Sequence, residues 1–187
     1  MALVVITGGA RSGKSAVAAR LACEKGSPIV VAVAGVGDGD DEMAARIERH
    51  RADRPDDWTT LEVAGIPVSD WLPRVPDGAC LVVDCLGTVM SGLLYPSEGT
   101  VPTEAGAEIL AHALVDALTA RAGDTIIVTN EVGMGVVPVS ESGRLFRDVL
   151  GRANARLVDV SDRAFLVVAG RCFDLSAMPR DAAWPTD

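Results

Sequence analysis

The stretch Leu3-Val-Val-Ile-Thr-Gly8-Gly-Ala-Arg-Ser-Gly13-Lys14-Ser15 decides how the rest of the chain is read. Its first five residues are a mostly β-branched run without polar alternation, the pattern of a strand covered on both faces, as in a parallel sheet. The segment Gly8, Gly9, Ala10, Arg11, Ser12, Gly13, Lys14, Ser15 then fits G-x-x-x-x-G-K-[ST] at every fixed position. Glycine lets such a loop curl until successive N–H groups point inward at an anion, and the helix that follows presents its positive end to the same spot. In a loop of this kind Lys14 reaches the β- and γ-phosphates of a nucleoside triphosphate, and the Ser15 hydroxyl is placed to bind Mg2+. The alternative is a glycine turn that merely joins a strand to a helix. Context favours the phosphate loop, because a buried strand precedes it and a helical pattern follows. Lys14 also stands out from its background: the only other lysine is Lys25, against fifteen arginines.

Outward from the loop, Val17, Ala18, Leu21 and Ala22 recur with helical spacing over residues 15–24, and Gly26 and Pro28 stop that helix. Residues 29–34 read as a second buried strand. Residues 35–39 are too glycine-rich for regular structure, and Asp40, Asp41 and Glu42 make an acidic start for a helix over 41–52 that Pro55 ends. A short strand is predicted over 58–63, a helical turn near Trp71, and an apolar strand over 80–84 that ends in a carboxylate, Asp84. Pro96, Gly99 and Pro102 mark residues 92–106 as a mobile loop. A helix over 104–120, a strand over 125–129, a helix over 142–158 and a last strand over 164–169 complete the series, with 171–187 as a loosely ordered tail. Strands alternating with helices make βαβ units, hence a three-layer α/β fold with a mostly parallel sheet and helices on both faces. With no internal repeat and no linker, residues 1–187 read as one nucleotide-binding domain.

Composition narrows the function. Hydrophobic residues make up 49% and charged residues 23%, the balance of a packed globular chain and not of a disordered one. No apolar run is long enough to span a bilayer, and the apolar N-terminus reads as the first core strand, not as a leader. A net charge of -9 opposes general nucleic-acid binding. Cys23, Cys80, Cys85 and Cys172 lack metal-binding or disulfide spacing, so a reducing cytoplasm is the expected location.

Two further places carry chemistry. A partner carboxylate is expected at the end of a strand neighbouring the loop, where it would hold Mg2+ or a water bound to it, and Asp84 fits; it equally fits a cap on the next helix. Cys85 beside it reads as a small core residue. On the predicted helix over 41–52, Arg46 and His50 share a face one turn apart, with Arg51 and Arg54 following. A neutral imidazole is a good nucleophile toward phosphorus, and the guanidinium groups around it would lower its pKa and hold phosphates. Met43, Ile47 and His50 are also spaced i, i+4, i+7, so His50 fits a rim histidine beside an apolar stripe equally well. His112 reads as an exposed or core-edge histidine.

Taken together, these blocks resemble the bifunctional adenosylcobinamide kinase / adenosylcobinamide-phosphate guanylyltransferase family of cobalamin biosynthesis. The resemblance rests on Thr7 to Ser15; on Asp41-Glu-Met-Ala-Ala-Arg-Ile with His50, Arg54-Pro55, Trp58 and Glu62; on Val82-Val-Asp-Cys-Leu86; on Thr129-Asn-Glu-Val-Gly-Met-Gly-Val-Val-Pro138; and on Phe146-Arg-Asp through Asn154 to Leu166-Val-Val-Ala-Gly170. It implies phosphorylation of the aminopropanol hydroxyl of adenosylcobinamide, with ATP or GTP as donor. It also implies transfer of GMP from GTP to the resulting phosphate through a guanylylated histidine, which corresponds to His50. The nucleotide positions implied are Gly8 to Ser15, Gly35, Val36, Gly37, Arg51, Ala52, Asp53, Arg54, Glu62 and Asp84, with Ser15 and Asp84 as the Mg2+ ligands. A RecA-like sheet, a homotrimer and a corrinoid groove between subunits are implied as well. Gly35-Val-Gly-Asp-Gly39 departs from the family in its glycine content, and Asn130 and Glu131 read either as nucleotide or magnesium contacts or as a structural turn. Two other readings share the loop: a small-molecule kinase without guanylyl transfer, and a GTP-binding regulatory subunit.

Overall fold

The computed structural model describes residues 1–26, 28–34, 55–96 and 100–180. Seven strands form one sheet: β1 (Leu3–Gly8), β2 (Ile29–Val33), β3 (Thr59–Glu62), β4 (Cys80–Asp84), β5 (Thr125–Val128), β6 (Arg163–Val168) and β7 (Arg171–Asp174). Their order is β3-β2-β4-β5-β1-β6-β7, and every neighbouring pair is parallel except β6 with β7. The helices are α1 (Lys14–Cys23), α2 (Val68–Trp71), α3 (Leu86–Leu94), α4 (Glu104–Ala120) and α5 (Glu141–Val160), with single 3-10 turns at Leu72–Arg74 and Leu175–Ala177. No helix among the described residues is long and apolar enough to cross a membrane.

Alternation along the strands sends successive side chains to opposite faces. Val5, Val30, Ala32, Leu81, Val83 and Ile127 point into one core, with Trp71 and the buried faces of α3, α4 and α5. Ile6, Ile29, Val31, Val82, Ile126 and Val128 point into the other, which α1 covers with Val17, Ala18 and Ala22. The unbroken apolar runs of β2, β4 and β5 follow from burial on both faces, and the three-layer arrangement with helices on both faces is as the sequence predicts.

Two elements depart from those the sequence predicts. Helix α3 begins two residues after Asp84 and takes in Gly92, which the sequence places in a loop over 92–106. Leu86, Val89, Met90 and Leu94 are its buried stripe, but Gly87 and Gly92 mask the helical signal. Glycine is needed at 92 because a Cβ there would meet Gly65 N at 2.8 Å. Of the expected loop, 92–94 belongs to α3 and 104–106 to α4, whose N-cap Thr103 accepts from Gly106 N; residues 97–99 lie outside the described residues. Similarly, the start of the expected tail over 171–187 forms β7, paired antiparallel with β6, and Leu175–Ala177 continues as a 3-10 turn. Ala169 and Gly170, both at positive φ, make the two-residue reversal between these strands. Ser176 Oγ then accepts from Ala164 N at 2.7 Å, and Arg163 pairs with Asp174. Residues 181–187 lie outside the described residues.

At the N-terminal ends of the strands a polar knot closes the sheet. Asp124 Oδ1 accepts from Ala2 N at 2.7 Å, and Asp124 Oδ2 pairs with Lys25 Nζ at 3.0 Å. Arg121 donates to the carbonyls of Ala79, Pro76 and Asp124, the last two of which also accept from Ala79 N and Leu81 N. The hydrogen bond from Lys25 holds the Asp124 carboxyl below its ordinary range, and the same bond raises the Lys25 ammonium.

Candidate functional site

The phosphate loop sits at the C-terminal end of β1, the position where open α/β sheets bind ligands. Its curl depends on two glycines. Gly13 has φ 100°, the left-handed region that suits glycine, and it hands the chain to α1. A Cβ on Gly8 would lie 2.3 Å from the backbone oxygen of Val167 in β6, so no other residue fits there. Lys14, first residue of α1, is 93% buried for all its charge, since only 7% of it is exposed, and its Nζ donates to Gly9 O at 2.7 Å. A buried ammonium inside a ring of backbone groups is costly unless an anion is to be met there. The buried Ser12 Oγ finds no hydrogen-bond partner among the described residues, a second polar group that a phosphate oxygen would satisfy.

The loop is held from outside by the β6–β7 reversal: Gly170 N donates to Ser12 O at 2.9 Å, and Gly170 Cα lies 3.5 Å from where a Gly13 Cβ would be. No periodicity in the sequence indicates this clamp. The signal that was there is the Ala-Gly pair after an apolar strand, which marks a tight turn.

Asp84 does not stand on a strand that pairs with β1, as expected for the carboxylate, because β5 lies between them. Helix α1, which carries Ser15, nevertheless reaches across β5 to the end of β4: Ser15 Oγ donates to Asp84 Oδ1 at 3.2 Å. A hydroxyl and a carboxylate side by side are hard oxygen donors, the set Mg2+ takes alongside nucleotide phosphates, so the residues fit that ion. Among the described residues no group of three or more His, Cys, Asp or Glu gathers into a self-sufficient metal site.

Between Asp84 and the loop runs the end of β5. Thr129 N donates to Ile6 O and Glu131 N to Gly8 O, at 2.9 and 3.0 Å, zipping this segment onto β1. Asn154 of α5 fixes it from below: its Nδ2 donates to Asn130 O at 2.9 Å, and its Oδ1 lies 2.7 Å from the buried Thr129 Oγ1, which donates to it. The Glu131 carboxylate accepts from Gly133 N and Met134 N, so in this structure it serves its own turn. Cys85 is half-buried with Sγ 3.6 Å from Thr88 Oγ1, while His112 is exposed on α4, 3.9 Å from Glu108.

Of the predicted nucleotide positions, Gly8 to Ser15 and Asp84 converge. Glu62 is exposed at the C-terminal end of β3, on the same edge of the sheet but with β2, β4 and β5 between it and β1. Gly35, Val36, Gly37, His50, Arg51, Ala52, Asp53 and Arg54 lie outside the described residues.

A family model described as cobinamide kinase / cobinamide phosphate guanyltransferase matches residues 4–175. The chain is 38% identical over 176 residues to the bifunctional adenosylcobalamin biosynthesis protein CobP of Pseudomonas aeruginosa, covering 94% of this chain and 98% of that one. It is 35% identical over 180 residues to the bifunctional adenosylcobalamin biosynthesis protein CobU of Escherichia coli, covering 90% and 96%. Among solved structures, a prototypical ATPase from the type III secretion system of pathogenic bacteria superposes with TM-score 0.52 at 13% identity, over 88% of this chain and 50% of that one. That likeness shows the fold alone, a three-layer α/β architecture of the P-loop kind.

Proposed function

We propose, from the fact that this chain belongs to the cobinamide kinase / cobinamide phosphate guanyltransferase family, that it runs two reactions on one nucleotide site. In the first, the aminopropanol hydroxyl of adenosylcobinamide attacks the γ-phosphorus of ATP or GTP. The hydroxyl proton leaves, the bond to the β–γ bridging oxygen breaks, and a nucleoside diphosphate departs. In the second, a ring nitrogen of His50 attacks the α-phosphorus of GTP and displaces pyrophosphate. A phosphate oxygen of adenosylcobinamide phosphate then breaks the P–N bond, giving adenosylcobinamide-GDP and free histidine.

The observation that carries this reading is the convergence of buried Lys14, the backbone cradle Gly8 to Ser15, and the Ser15–Asp84 pair at the C-terminal edge of the sheet. Lys14 holds the γ-phosphoryl oxygens while charge moves onto the leaving group, and the amides of the cradle hold the β-phosphate without reorganising. Ser15 and Asp84 would hold a Mg2+ carried by the nucleotide, which would supply charge neutralisation on the phosphates. Glu62, at the far end of the same edge, suits the nucleoside end of the substrate. Residues 35–37 and 51–54 complete the nucleotide contacts on this reading, and the protein works in the cytoplasm as a homotrimer of single-domain subunits.

The test uses GTP labelled at the α-phosphate. The wild-type protein acquires an acid-labile, alkali-stable label, and His50→Ala loses both the label and guanylyl transfer while retaining phosphorylation of cobinamide. Label at the wild-type level in His50→Ala would remove that residue as the nucleophile. Wild-type protein that neither labels nor phosphorylates cobinamide would remove the whole reading.

A further inference from the structure

Residues 132–139, between β5 and α5, carry a shelf of apolar side chains. Val136 is 96% exposed, Val139 97%, Met134 81% and Val137 59%. Single exposed apolar residues are ordinary on a protein surface; four within six positions, on one short connection, are not. Nor is this a slack loop. At its start the Glu131 carboxylate accepts from Gly133 N at 2.7 Å and Met134 N at 3.1 Å. At its end Arg144 donates to Val139 O at 2.6 Å and Pro138 O at 3.2 Å, while Ser140 Oγ caps α5 by accepting from Gly143 N. The Tyr95 hydroxyl donates to Ser142 O at 2.6 Å and ties the same corner to the end of α3. Side-chain-to-backbone hydrogen bonds thus fix the shape at both ends, and the apolar side chains stand outward on a preformed surface, which lowers the entropic cost of covering it.

The position of this surface indicates what covers it. Glu131 N donates to Gly8 O, so the shelf grows directly from the backbone that cradles the phosphates. A ligand that covers it therefore lies against the start of the phosphate loop at Gly8. The substrate of the reaction proposed above must do that: its hydroxyl arm has to reach the γ-phosphate while the broad ring that bears the arm lies within the arm's length. A corrin ring offers wide apolar faces fringed with amides. Gly135 has nothing within 4 Å of a Cβ position, so the shelf leaves open backbone between its apolar side chains for such amides to approach.

We infer that residues 132–139, with Val136 and Val139 as their most exposed side chains, form the surface on which the corrin ring of the substrate docks; this rests on the two-reaction reading above. The exchange of Val136 and Val139 together for Asn tests it, being uncharged and so neutral toward the phosphates. Cobinamide binding is read by equilibrium dialysis from the absorbance of the corrin, GTP affinity by titration, and molecular mass by sedimentation. The expected result is a cobinamide Kd raised tenfold or more, with GTP affinity and mass as in the wild type. A milder pair, Val136→Ala with Val139→Ala, gives an intermediate rise. Unchanged cobinamide affinity in a variant whose wild-type parent phosphorylates cobinamide overturns the docking surface and leaves the two-reaction reading intact. A change of mass overturns it too, assigning the shelf to contact between copies of the chain. Failure of the wild type to bind cobinamide at all overturns both.

Discussion

The two ends of one sheet handle charge in opposite ways. At the N-terminal ends of the strands, Asp124 meets Ala2 N and Lys25, and Arg121 saturates three carbonyls, so each polar group has its partner within the chain. At the C-terminal ends, a buried ammonium, a buried hydroxyl on Ser12 with no hydrogen-bond partner among the described residues, and the Ser15–Asp84 contact lie around a curled backbone loop. The first arrangement stabilises the fold; the second sets an ammonium, hydroxyls and a carboxylate at one strand edge, where they can meet an anion and a cation.

If that contrast holds, Lys14→Ala separates activity from stability. Removing a charge at 7% exposure relieves a burial cost, so the thermal midpoint should stay close to the wild type. Cobinamide phosphorylation should fall by a factor on the order of 10²–10³, the usual loss when one preorganised charge-stabilising donor is deleted. A fall in midpoint as large as the fall in rate would make Lys14 a structural residue and erase the difference between the two ends.

Gly8→Ala probes the same end through its backbone. The added methyl overlaps Val167 O, and both partners are main chain, so neither can rotate away. Chemical denaturation should show a loss of roughly 3 kcal/mol, in the range for overpacking a rigid site, and nucleotide binding should weaken with it. Here stability and function fall together, because β6 is the wall against which the cradle is built. An unchanged denaturation midpoint would mean that the loop does not lean on β6.

What the sequence made legible follows the same division. The phosphate loop was readable because its chemistry is local: eight consecutive residues specify strand end, turn, cation and hydroxyl. The strands of the buried sheet were readable from apolar runs alone. Helix α3 was not, because glycine at 87 and 92 serves close packing against Leu150 and Gly65, contacts that are invisible along the chain. Strand β7 was hidden for the reverse reason. Arg171-Cys-Phe-Asp174 has no burial pattern of its own and is ordered by pairing with β6. Asn154 and Gly170, the supports of the site, act across 24 and 158 positions of sequence on Asn130 and Ser12, and no local signal reports a partner at that distance.

The smallest effect belongs to the other end of the sheet, where Asp124→Asn removes a charge but leaves an amide oxygen for Ala2 N. The carboxyl is held below its ordinary range chiefly by the hydrogen bond from Lys25, with the Ala2 amide and the charges of Lys25 and the N-terminus adding to it and burial opposing. A lowered folded-state pKa means that the unfolded chain binds more protons in the window between the two values. The stabilisation is therefore complete above the ordinary carboxylate range, near pH 4, and disappears as pH falls through the lowered value. Both side chains see solvent, 27% for Asp124 and 39% for Lys25, so screening limits the pair to about 1 kcal/mol or less. Urea unfolding at pH 7 should place the variant below the wild type by that amount, and at about pH 3 the gap should narrow. Cobinamide phosphorylation at pH 7 should be unaltered, since the knot lies at the opposite edge of the sheet from Lys14. A gap that widens on acidification would show that burial, and not Lys25, governs this carboxyl.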